Sequence, residues 1–202
     1  MLTLKQIKDA ILSKKYVWFE DTANKSYDVN IVSVRNSVPG STVTNVFDDL
    51  ITISYKNEKG EWMFHSWACT TDPGKKAVLE FSNSRGVAII VPGQYRGSHI
   101  IRKHQGKYDA LCQDKAVKVY RDKNKNMKFD MDPSTINEGV FGINIHRSNP
   151  KTESTFVENW SEGCTVFKRV KDFNEFMSIL YKAKDIHGNR FTYTVIESKD
   201  IV

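Results

Sequence analysis

The feature that most constrains this chain is a succession of short apolar runs, residues 16–19, 27–34, 50–55, 62–68, 87–91 and 117–120, broken at close intervals by Asn, Gly and Asp. Runs of this length, rich in Val, Ile, Tyr, Phe and Trp between turn formers, suit a pleated and half-buried surface and read as strands. Two stretches carry the other period. Thr3 and Gln6 form a capping-box pattern ahead of Leu4, Ile7, Ile11 and Leu12, which predicts a helix over about 3–15. Asp172 and Glu175 repeat the pattern ahead of Phe173, Phe176, Ile179, Leu180 and Ala183, with His187-Gly188 as the stop and a last strand over 191–196. Repeats, low-complexity tracts and Pro/Gly/Ser-rich linkers are missing. The expectation is one sheet-dominated α+β domain over residues 1–202, with an N-terminal and a C-terminal helix, and with 1–69 as an added α+β portion packed on the remainder.

Charge and cysteines narrow the function classes. Thirty Lys and Arg against 24 Asp and Glu give +6, which favours an anionic partner. The positive residues are scattered among acids with no basic block, so nucleic acid is not the expected partner. Residues 1–9 lack the apolar core of a secretory signal and no apolar run approaches the ~20 residues that cross a bilayer. The expectation is therefore a chain made in the cytoplasm without a signal peptide, with no membrane partner and a monomeric state. Cys69, Cys112 and Cys164 are an odd number without CxxC or Cys/His spacing, so neither a disulfide framework nor zinc is indicated, and no metal or organic cofactor is expected.

The chemistry concentrates in about 139–166: Gly139-Val-Phe-Gly142-Ile-Asn-Ile-His146-Arg147, a polar loop, then Trp160-Ser161-Glu162-Gly163-Cys164. A strand ending in His, a loop, and a Ser-x-Gly-Cys turn could join imidazole and thiol at one strand end, where His146 would act as base and Cys164 as nucleophile through a thiolate and imidazolium pair. Gly163 lets backbone approach a substrate, and successive amides of the turn could face an oxyanion. Ordinary packing roles for both residues remain open on residue types alone.

His146, fourteen intervening residues and Ser161-Glu162-Gly163-Cys164 resemble the signature of the L,D-transpeptidase (YkuD-type) family, a histidine followed at about this distance by Ser/Thr-His-Gly-Cys. Gly139-x-x-Gly142-Ile-Asn-Ile-His146 is similar to that family's glycine-containing strand. Thr70-Thr-Asp-Pro-Gly74, Pro92-Gly-Gln-Tyr95 and His104-Gln-Gly-Lys-Tyr108 look like turns of a divergent, phage-associated branch. The resemblance implies a YkuD-like fold, Cys164 as nucleophile on a peptidoglycan stem peptide, His146 as base oriented by the Arg147 carbonyl, Ser161 as the polar residue before the turn, and amides of Glu162, Gly163 and Cys164 in the oxyanion hole. It also implies action in the periplasm or cell wall, with release by a phage holin. The chain departs from the pattern at Glu162, where the family has His, and at Val166, where it has Arg or Asn. Transfer and hydrolysis both stay open, as does a non-catalytic wall-binding or phage structural protein that keeps the fold. Papain-like enzymes place Cys before His, the reverse of the order here, and the sortase pattern of Thr-x-x-Cys with a following Arg is not found.

Other residues carry competing readings. Tyr95, His104 and Tyr108 could line a substrate groove or be ordinary loop residues. Arg147 could meet a substrate carboxylate or be solvated. Trp160 could wall the substrate site or anchor the loop in the core, while Cys69 and Cys112 are read as buried hydrophobes and His65 and His187 as structural. Asp122-x-Asn124-x-Asn126, with Asp130 and Asp132 beyond, resembles the opening of an EF-hand-like calcium loop. Met127 stands where that loop needs Gly and Pro133 where it needs Glu, so a polar hairpin loop is the favoured reading.

Overall fold

A computed structural model describes residues 2–81 and 83–202. Six of its eleven strands fall on the apolar runs read from sequence. The eleven are β1 (Asn30–Arg35), β2 (Asp49–Lys56), β3 (Trp62–Thr70), β4 (Val87–Ile90), β5 (Gly93–His104), β6 (Tyr108–Gln113), β7 (Val117–Asp122), β8 (Asn137–Gly139), β9 (Ile145–Arg147), β10 (Thr165–Phe167) and β11 (Phe191–Glu197). Eight of them close into a barrel in the order β1-β11-β5-β6-β9-β10-β3-β2, and β4, β7 and β8 form a separate three-stranded sheet. The molecule is thus α+β and rich in sheet. Strands β1, β2 and β3 close the barrel between β11 and β10.

Three helices complete the fold: α1 (Leu4–Ser13), α2 (Lys75–Glu80) and α3 (Val170–His187). The Thr3 hydroxyl accepts the Gln6 amide at 3.3 Å and the Gln6 side chain accepts the Thr3 amide at 3.2 Å, the reciprocal cap read from sequence. Helix α1 buries Ile7, Ala10 and Ile11 against Val32, Val34 and Ile196 on the outside of β1 and β11. Alternate residues Ile31, Tyr193 and Val195 join the main core, where α3 contributes Phe173, Phe176, Ile179, Leu180 and Ala183. None of the helices is long and apolar enough to cross a membrane among the described residues.

Two sequence expectations are corrected. Helix α3 starts at Val170 with Arg169 as its N-cap, and Asp172, instead of capping, accepts the Arg169 guanidinium at 2.8 Å. Residues 16–19 form no strand. Their backbone is satisfied by side-chain amides: Gln94 exchanges two bonds with Val17 (2.9 and 2.8 Å) and Asn30 two with Phe19 (both 2.8 Å). Strand β5 was missed because Gly93, Gly97 and polar neighbours hide it. Gly97 sits at φ +57°, and β11 shifts register against this strand between Phe191 and Tyr193.

A charged cluster lies inside the barrel. Arg35, fully buried, donates to the Thr71 hydroxyl (2.9 Å), the Ile90 carbonyl (2.7 Å) and the Thr71 carbonyl (3.2 Å), and its Nε lies 3.1 Å from Asp72. Asp49 accepts the Thr71 amide and hydroxyl at 2.7 and 2.8 Å and the Asn36 amide at 2.8 Å. A buried cation among two carboxylates and five further polar groups is what allows ions in this interior. Through the Ile90 carbonyl and Thr71 it also ties β4 to the barrel.

Candidate active site

Strands β9 and β10 run parallel, with Thr165 opposite Ile145 and Val166 opposite His146. A parallel pair requires a crossover, and here it is the irregular segment 148–164. Cys164 immediately precedes β10 and packs against the cluster that contains Val166, the residue opposite His146. Cys164 and His146 both line one cleft of about 780 Å³. One wall is the small sheet, with Ala88 and Arg121, and another is the β5–β6 turn, with His104 and Tyr108.

The turn carrying the thiol is held from several directions. Ser161, 1% exposed, donates its hydroxyl to the Cys164 carbonyl (2.8 Å) and accepts the Gly163 amide (3.1 Å). The Ser161 carbonyl accepts from Gly74 (3.0 Å) and the Glu162 carbonyl from Ala88 (3.2 Å), which docks the turn against the 70–74 segment and β4. Gly163 sits at φ +129°, and a Cβ there would lie 2.2 Å from the Ala88 carbonyl oxygen. Only glycine satisfies both demands. Its amide is taken by Ser161, so of the three amides expected to face an oxyanion Gly163 is engaged elsewhere, while those of Glu162 and Cys164 have no hydrogen-bond acceptor among the described residues.

The Cys164 sulfur accepts the Asn144 amide at 3.4 Å and donates to the Gly142 carbonyl at 3.3 Å. His146 Nδ1 lies 2.8 Å from the Arg147 carbonyl. A carbonyl only accepts, so Nδ1 carries the proton and Nε2 keeps the lone pair a base needs. The His104 ring stacks on His146 with centroids 4.3 Å apart and planes 19° apart, and its Nδ1 accepts from the Asn144 side-chain amide at 3.1 Å.

Burial dominates the electrostatics. It pushes the Cys164 thiol up to about 11, opposed by the Asn144 amide. It pulls His146 down to about 4, with His104 adding to the depression and the bond to the Arg147 carbonyl opposing it. Burial thus favours the neutral form of both groups over the thiolate and imidazolium pair expected from sequence. A thiol and a neutral imidazole with a defined free nitrogen can still act by general-base transfer during attack.

Of the other expected site residues, Arg147 lines the cleft with its guanidinium 4.0 Å over the Tyr108 ring, and the Tyr108 hydroxyl reaches the Arg147 carbonyl at 3.4 Å. Of the two readings for Trp160, the structure places it on the cleft rim, 39% exposed, rather than in the core. The loop around it is instead anchored by Val157, buried with Phe47 and Val166. Tyr95 does not reach the cleft. Its hydroxyl donates to the Val91 carbonyl at 2.5 Å beside the Lys118 carbonyl, packing it between strands. Cys69 and Cys112 are buried, His65 stacks between Tyr55 and Trp67, and His187 meets the Ser26 carbonyl at 2.8 Å.

The expected continuous strand from Gly139 to His146 is broken. Gly139 ends β8, β9 begins only at Ile145, and Gly142 turns the chain at φ +76°. The buried Gln113 side chain replaces the ladder, accepting the Phe141 and Ile143 amides (3.0 and 2.9 Å) and donating to the Gly139 carbonyl (2.8 Å). Gln113, Asn144 and Arg121 were missed as site residues. Asn144 stood inside the motif and was readable there, whereas Gln113 and Arg121 act across 20 or more residues of chain with no local signal. Scans against protein-family models and searches of curated proteins and of solved structures find no match to this chain.

Proposed function

We propose that this protein is a cysteine acyl-transfer enzyme acting on peptidoglycan stem peptides, similar to the L,D-transpeptidases in a YkuD-like fold. The observation that carries the reading is His146, held through Nδ1 by the Arg147 carbonyl, lining one cleft with Cys164. In the proposed reaction Nε2 of His146 takes the thiol proton as the sulfur attacks the substrate carbonyl carbon. The oxyanion that forms meets the free amides of Glu162 and Cys164. Collapse breaks the C–N bond, the leaving amine takes the proton from His146, and a thioester remains. Water or a second amine then attacks the thioester with His146 again as base, which gives hydrolysis or transfer.

Lys107, Arg121 and Arg147 surround the cleft against the single acid Glu162, which suits the carboxylate of a terminal D-amino acid. Arginine there supplies what Glu162 and Val166 do not. Mass spectrometry of a defined tetrapeptide muropeptide and a cross-linked dimer tests the reading. Loss of D-Ala, scission of the dimer or exchange with an added D-amino acid is expected, and Cys164→Ala should abolish all three. Equal turnover by Cys164→Ala would overturn it.

The raised thiol and depressed imidazole favour one second reading, a wall-binding protein without catalysis. Iodoacetamide separates the two. A general-base pair makes Cys164 react faster near neutral pH than a buried thiol of ordinary reactivity and slows on His146→Ala, whereas a binding module shows neither effect.

A further inference from the structure

The segment after β7 belongs to no part of the cleft chemistry. Asp122 ends that strand and is 2% exposed, yet its Oδ1 has no hydrogen-bond partner among the described residues. A buried carboxylate oxygen without a donor is costly unless something cationic meets it. Its other oxygen accepts the Asp130 amide at 3.3 Å, so the carboxylate is aimed into the loop between them.

The same loop gathers further oxygens. The side-chain amides of Asn124 and Asn126 both converge on Asp130 Oδ2. Their Oδ1 atoms accept the Asn126 and Lys128 amides at 3.1 and 2.8 Å, and each carbonyl oxygen retains a second lone pair. Lys128 faces Thr42 across an antiparallel bridge, and Met127 and Phe129 make the flanking bonds to Val43 and Ser41. The amide and carbonyl of Lys128 therefore face the loop rather than the neighbouring segment. Met127 adopts φ +61° although it is not glycine, so the turn that the sequence seemed to forbid is made.

We propose that this loop is a low-affinity calcium site, with oxygen ligands from the Asp122 and Asp130 carboxylates, the Asn124 and Asn126 side-chain carbonyls and the Lys128 backbone carbonyl. Alternating side-chain ligands at first, third, fifth and ninth positions, with a backbone carbonyl at the seventh, is the oxygen-rich pattern calcium takes. No three His, Cys, Asp or Glu converge among the described residues, so neutral oxygens must complete the shell, which suits a hard cation and not zinc. With Pro133 in place of a bidentate Glu, and Lys123, Lys125 and Lys128 exposed around it, the affinity belongs to the weak class of about 10⁻⁴–10⁻³ M.

Calorimetric titration of the 202-residue chain with CaCl₂ at constant ionic strength should give one saturable site in that range, with MgCl₂ at least about tenfold weaker because Mg²⁺ demands a tighter octahedral shell. Asp130→Ala and Asn126→Ala, both at the accessible rim of the loop, should each weaken calcium by about tenfold or more. Asp122→Asn should do the same, and if its burial prevents folding the two rim variants still decide the matter. No saturable binding by the wild-type chain up to about 10 mM calcium, magnesium binding as tight as calcium, or undiminished binding by Asp130→Ala would overturn the proposal.

Discussion

The imidazole of His104 lies flat against that of His146, their centroids 4.3 Å apart, while its Nδ1 is fixed by the side chain of Asn144. Asn144 also directs its backbone amide at the Cys164 sulfur. One residue thus links the nucleophile to the imidazole stacked on the base, and two imidazoles in contact cannot both be charged at moderate cost. His104 adds to the burial that favours neutral His146.

Replacing His104 with Phe keeps an aromatic ring in the stack and removes the titratable neighbour. The His146 pKa should move upward, as read from its ring proton shifts by NMR, because the repulsive contribution of His104 disappears while burial remains. An unchanged or lower His146 pKa would show that burial alone sets it.

A neutral pair fixes a pH profile. His146 is a base wherever it is unprotonated, which extends down to about 4, and Cys164 keeps its proton up to about 11. Turnover of a muropeptide should therefore have its acid limb well below pH 6 and a broad plateau above it. An acid limb at the ordinary histidine pKa would mean that an ion pair forms first.

Stability should carry the same signature. The folded His146 pKa lies below its unfolded value of about 6.5, so between about 6.5 and 4 the unfolded chain binds more protons and stability falls as pH falls. His146 contributes roughly 1.4 kcal/mol per pH unit to that loss. In urea unfolding, His146→Gln should lose about 1.5 kcal/mol less than wild type between pH 6.5 and 5. Identical losses for the two proteins would contradict the depressed pKa.

Gly163→Ala brings a methyl group onto the Ala88 carbonyl at a backbone angle that L-residues avoid. The Ser161–Cys164 turn must shift, which should cost about 2–4 kcal/mol in urea unfolding and most of the activity. Ser161→Ala keeps the backbone angle but strands the Cys164 carbonyl and Gly163 amide, at about 1–3 kcal/mol.

Arg35→Leu leaves Asp72 and Asp49 buried without their cation. Thermal or urea unfolding should register a loss of about 3–5 kcal/mol, the range for breaking a buried pair from one side. A loss under 1 kcal/mol would mean the carboxylates are neutral in the native state.

What the sequence determined was whatever neighbours along the chain decide together. Thr3 and Gln6 cap α1 within one turn, Phe173 to Ala183 repeat at helical spacing, and the runs that became β1, β2, β3, β4, β7 and β11 alternate or stay apolar over their own length. The order His146 then Cys164, with glycine before the thiol, was legible for the same reason. The tertiary structure decided the rest, because backbone pairing and burial join residues that no local period connects. The parallel match of β1 with β11 closes a barrel across 162 residues, from Ile31 to Tyr193. Gln113 replaces the missing ladder before β9, His104 reaches His146 from another hairpin, and desolvation by the surrounding core, not the residue types, favours the neutral thiol and imidazole.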